Sequence, residues 1–149
     1  MFAAREVKDD QCMCGEKGPE LPTWRMIFAF GGFDADEHEF PWHAGVSMDG
    51  QYRGGATIIS PSYVLSAGHV VFWGRRSLLI NRDDLQKLGV IFGSSDRGET
   101  QRKAVKSVKL HPNYKEVEAS VNDISRVEYD FVLLELDSPL EFSRKIKPA

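Results

Sequence analysis

"LSAGHVV", residues Leu65 to Val71, sets one histidine in a run of small and apolar residues. A lone histidine in such a setting is most often a packed core residue, so His69 counts as chemistry only if the rest of the chain supplies companions. Histidine is the side chain suited to taking a proton from a weak hydroxyl nucleophile near neutral pH. Such a base needs a third group to hold its tautomer and stabilise the imidazolium. The small residues Ala67 and Gly68 would let a carboxylate approach the backbone closely. Asp130 heads the apolar run "FVLLEL", Phe131 to Leu136, where a charge without a partner is costly.

Outward from His69 the chain reads as short apolar runs parted by turn signals, the pattern of an all-β domain. Strands are expected over Trp42–Met48, Tyr52–Ile59, Tyr63–Ser66, Leu78–Asn81, Leu88–Phe92, Val105–Leu110 and Phe131–Leu136. Asp49-Gly50 between the first two is a strong hairpin signal. A helical turn is expected over Asp83–Leu88, and the polar stretch Lys115–Tyr129 reads as a loop. Trp42, Phe131 and Leu133 are core candidates. Several short strands favour a small barrel or sandwich, because closure removes exposed edges.

The 149 residues fit one ordinary domain or half of a two-domain protein. A net charge of -3 makes no strong field for nucleic acid or anionic lipid, so neither is an expected partner. No apolar run approaches the roughly 18 residues of a membrane span, and the charged start "MFAAREVKDDQC" does not read as a signal peptide. Residues 1–28, interrupted by Gly15, Gly18, Pro19 and Pro22, read as a leader, and residues 29–149 as the folded domain. Two cysteines, Cys12 and Cys14, exclude a disulfide-rich scaffold. Their spacing disfavours a mutual bond, which leaves free thiols or a pairing outside the chain. They are too few for a zinc site.

Four blocks in order resemble the catalytic domain of the chymotrypsin/trypsin family of serine proteases. "GGFDADEHEFPWHAGV" is similar to its opening segment with Phe-Pro-Trp, and "GGATIISPSYVLSAGHV" to its block ending Val-Leu-Thr-Ala-Ala-His-Cys. "HPNY", His111 to Tyr114, resembles its His-Pro-x-Tyr, and "YDFVLLELDSPL" its Asp-Ile-Ala-Leu-Leu-x-Leu-x-x-Pro. The resemblance implies the first of that family's two barrels, a six-stranded antiparallel Greek-key barrel, over residues 29–149. It implies that His69 is the general base and Asp130 its orienting carboxylate. Asp123, in "VNDIS", is a rival, but Ser125-Arg126 follows it instead of an apolar strand. His38 and His43 match no catalytic position, and His111 reads as a turn or packing residue. Lys103, Lys106 and Lys109 read as solvated charge.

The chain also departs from the family. No Gly-Asp-Ser-Gly-Gly block occurs, so the nucleophile, the oxyanion donors and the specificity pocket are expected on a second barrel; "GSSDRG" at Gly93–Gly98 lacks the motif. The 149 residues alone are therefore expected to be inactive. Ala29-Phe30-Gly31-Gly32, after Phe28, replaces the usual activation site, and a cut after Arg25 falls three residues early. Arg53 and Val70 stand where the family's histidine-loop disulfide would be, so packing has to offset about 2–5 kcal/mol. Ser94 stands where calcium-binding members carry Glu, so no calcium, other metal or cofactor is expected. Family likeness also implies a leader cysteine bonded to the interdomain linker, a protein or peptide substrate, and a secreted product. The alternative function is a non-catalytic, protease-like interaction module. Either way, a lone first barrel is expected to expose apolar interface and to depend on a partner.

Overall fold

In the computed structural model, residues 14–18, 35–72, 82–93, 101–117 and 126–149 are described. The elements are β1 (His43–Met48), β2 (Gln51–Ile58), β3 (Tyr63–Ser66), α1 (Gly68–Val71), α2 (Arg82–Lys87), β4 (Leu88–Phe92), β5 (Gln101–Leu110), β6 (Lys115–Val117), β7 (Arg126–Glu128) and β8 (Val132–Leu136). Six of the strands close into an antiparallel barrel in the order β1-β2-β3-β8-β5-β4. The jump from β3 to β8 makes the topology a Greek key rather than a meander. The expected strand Leu78–Asn81 lies outside the described residues, as do Ala29 to Gly32, Ser94 and Asp123.

Each expected strand that is described forms within a few residues of its expected ends, for a local reason. Asp49 and Gly50 both take positive φ, 52° and 76°, as a type I′ turn demands, and they return β1 onto β2. The β1–β2 register shifts after Val46, whose partner is Gly54 while Ser47 faces Tyr52. Arg53 is the extra residue of that bulge, which bends the strand as barrel closure requires. A second bulge at Lys106 lies between Val105, opposite Leu136, and Ser107, opposite Glu135.

The inward side chains Val46, Ile58, Val64, Leu88, Val90, Val132 and Leu134 are each less than 2% exposed. At least one comes from each of five strands, so the core is the barrel interior and depends on closure. Ser47 and Ser66, both buried, give their hydroxyls to the Gly89 and Gly55 carbonyls, which removes the cost of burying them.

Three expectations are corrected. "FVLLEL" is not buried throughout: Val132, Leu134 and Leu136 face the core, Leu133 is half-buried, and Phe131 is 56% exposed. A barrel strand has one inward face with a period of two residues, so an apolar run alone does not bury every member. Trp42 likewise is half-buried and packs on the core from outside β1. The stretch Lys115–Tyr129 is not all loop, because β6 and β7 pair from Lys115 opposite Glu128 to Val117 opposite Arg126. Two three-residue strands give too short an alternation to be read from sequence, and the Lys115–Glu128 ion pair at 2.7 Å closes the hairpin base. Cys14 is not a free thiol but is disulfide-bonded. The only other cysteine of the chain, Cys12, lies outside the described residues.

The segment Cys14–Gly18 lies on the barrel. Gly15 donates to the Pro148 carbonyl at 3.1 Å and Gly18 to that of Glu39 at 3.0 Å. Lys17 pairs with the buried Glu39 at 3.0 Å and lies 5.0 Å from the Phe40 ring centre. Gly15 thus ties this segment to the last residues of the chain, while Lys17 and Gly18 tie it to Glu39 and Phe40 before β1.

Candidate active site

His69 is the second residue of the single-turn helix α1, directly after β3. Ala67 before it is extended and supplies no side-chain cap. A helix start without a cap leaves backbone N–H groups without acceptors. Here the acceptor comes from 61 positions along the chain: Asp130 Oδ1 takes the His69 backbone N–H at 2.8 Å. The other oxygen of the same carboxylate, Oδ2, lies 2.5 Å from His69 Nδ1. A carboxylate only accepts, so this contact places a proton on Nδ1. Asp130 is thus bonded at both oxygens to one residue, which fixes backbone and ring together. The His69 side chain is 45% exposed and that of Asp130 27%, so the carboxylate is the more shielded of the two.

The packing behind the pair explains the small residues in "LSAGHVV". A side chain at Gly68 would meet the Tyr114 ring at 2.7 Å and Leu110 at 2.9 Å. Tyr114 is buried and lies 6.4 Å from Phe72, so it forms the floor of α1. Its hydroxyl donates to Glu116 at 3.2 Å. Burial, with the Glu116 carboxylate beside it, pushes the phenol up to about 12. Val70 turns inward onto Gly54, where a β-carbon would stand 2.7 Å from its methyl group. Where the resemblance implies a bridge, Val70 makes an apolar contact with β2, and Arg53 is exposed.

His69 and Asp130 are brought together; Asp123 lies outside the described residues. His38 pairs with Glu37 at 3.1 Å in the loop before β1. His43 and Asp130 both line an open groove of about 390 Å³, with Leu65, Ala67 and Phe131 among its walls. The three lysines of β5 are engaged at the surface: Lys103 with Ser138, Lys106 with Glu135, and Lys109 over the Tyr63 ring. Hydrogen bonds from Lys106 and Ser107 hold the Glu135 carboxyl below its ordinary range, and the same ion pair raises Lys106. Among the described residues, no group of three or more histidine, cysteine or acidic side chains could hold a metal ion.

A family profile described as trypsin matches residues 29–149, which span both His69 and Asp130. The chain belongs to the trypsin family of serine proteases.

Among its relatives are the venom serine protease 34 of Apis mellifera and the trypsin of Phaedon cochleariae. The first is 30% identical over 97% of this chain and 33% of the relative. The second is 26% identical over 88% of this chain and 45% of the relative. The modular serine protease of Drosophila melanogaster is 26% identical, over 91% of this chain and 22% of its own length. The chain therefore spans less than half of each of these relatives. Its closed six-stranded barrel is the trypsin-like fold that the family implies.

Gly68, read from sequence as room for a carboxylate, instead makes room for Tyr114 and Leu110. The spacing of a turn does not say which side chain it will press against.

Proposed function

We propose that this chain carries the base half of a serine endopeptidase site, with His69 as general base and Asp130 as its orienting carboxylate. The observation that carries the proposal is the double attachment of Asp130 to the His69 backbone and ring at 2.8 and 2.5 Å. With Nδ1–H held by Asp130, Nε2 is the ring nitrogen that would take the proton of a serine hydroxyl as that oxygen attacks a peptide carbonyl. The imidazolium so formed lies against a carboxylate, which lowers its cost, and it returns the proton to the leaving amine. The attacking serine and the oxyanion donors would come from a second barrel, because no Gly-Asp-Ser-Gly-Gly block occurs in these 149 residues. Without those groups nothing attacks the carbonyl and nothing stabilises the oxyanion that acyl transfer develops, so the 149 residues by themselves do not hydrolyse peptides.

The exposed Phe131 and Leu65 on the groove beside Asp130 support a covering partner, which we take to be that second barrel. Residues 1–28 act as the leader and 29–149 as the first half of the peptidase domain. A protein or peptide is the substrate class, and the product works outside the cell, as the names of the venom and trypsin relatives suggest. No helix among the described residues is long and apolar enough to cross a membrane.

The test reads the coding sequence past Ala149 and expresses the longer product. An in-frame Gly-Asp-Ser-Gly-Gly block, and peptide hydrolysis that falls by about 10²–10⁴-fold in His69→Ala, support the proposal. A stop codon with a soluble, inactive product supports the interaction-module alternative. Turnover by purified residues 1–149 that His69→Ala abolishes would overturn the claim of inactivity.

A further inference from the structure

Asp130 is the middle residue of a γ-turn: the Phe131 N–H donates to the Tyr129 carbonyl at 2.8 Å. The residue before it, Tyr129, has φ 53°. That is the left-handed region, which a bulky non-glycine residue adopts only when its surroundings hold it there. The surroundings are visible. The Tyr129 ring lies parallel to the His111 ring, with centres 5.1 Å apart and planes within 7°. Phe131 meets the same imidazole edge-on at 6.4 Å. The His111 backbone N–H donates to the Phe131 carbonyl at 2.9 Å, and His111 Nδ1 accepts the Asn113 N–H at 3.2 Å. His111 therefore grips both neighbours of Asp130 and is itself anchored by its turn. Tyr129 and Phe131 are about half exposed, so burial alone does not hold them.

We propose that His111, stacked on Tyr129, is a positioning residue that holds the γ-turn and so aims the Asp130 carboxylate at His69. The inference rests on reading His69 and Asp130 as base and orienting carboxylate, and it assigns His111 no contact with substrate.

The test follows the proton on His69 Nδ1 by NMR of the full chain, since its exchange with water reports how well Asp130 covers it. His111→Ala is expected to speed that exchange by about tenfold, the scale of one unsupported left-handed residue. His111→Phe, which keeps an aromatic face, is expected to retain the slow exchange. Adding Tyr129→Asn to His111→Ala is expected to restore it, because asparagine adopts the left-handed region without help. General loss of packing would not be rescued in this way. Unchanged exchange in His111→Ala, or a folded double variant that stays fast, overturns the proposal. If the unaltered chain shows no protected Nδ1 proton, the base–carboxylate reading fails and this inference falls with it. A protected proton that is indifferent to His111 removes the inference alone.

Discussion

Tyr114 shows how one side chain links the turn after β5 to the site. Its ring fills the space that Gly68 leaves open, and its hydroxyl is tied to Glu116. Because the folded phenol is raised from 10.0 to about 12, its contribution to stability is complete below pH 10 and is lost as pH rises through about 12. Ultraviolet titration of the four tyrosines should show one that ionises late, and Tyr114→Phe should remove that phase. A titration curve identical in wild type and variant would refute the assignment. His69 and Asp130 were singled out through the order of the four family-like blocks, since a lone histidine among small residues reads by itself as packing. The roles of Tyr129 and His111 were not: a positive φ on tyrosine and a ring stack depend on two turns meeting in space.

Among the elements, α1 is the one with the least support of its own. A single turn with no side-chain cap does not persist in isolation. It is held by Asp130 at its start, by Val70 on Gly54 and by Gly68 against Tyr114 and Leu110. Adding one methyl group at Gly68 overfills that seat, so Gly68→Ala should destabilise the chain by about 1–3 kcal/mol. Urea denaturation measures this, and an unchanged midpoint would show that Tyr114 can withdraw at no cost. The β1–β2 hairpin was legible because Asp-Gly carries its own geometry. The β6–β7 hairpin was missed because its three-residue strands are specified by pairing and the Lys115–Glu128 contact, not by pattern.

For the whole molecule, the barrel settles which apolar residues are core and which are surface. Leu65 and Phe131 are exposed and line a groove with Asp130. An apolar groove of this kind promotes association when it is left uncovered. Sedimentation of residues 1–149 should therefore show self-association that rises with concentration, and Leu65→Lys should weaken it while leaving the melting temperature within a few degrees. A monomer at all concentrations would remove the argument for a covering partner. By itself the sequence determined the all-β class, most strand positions and the first hairpin turn, because these follow from local pattern. Only the tertiary structure decided that Phe131 is surface, that β6 and β7 pair, and that Asp130 reaches both the backbone and the ring of His69. Those outcomes depend on barrel closure bringing β3 beside β8, a contact between segments more than sixty residues apart that no local pattern encodes.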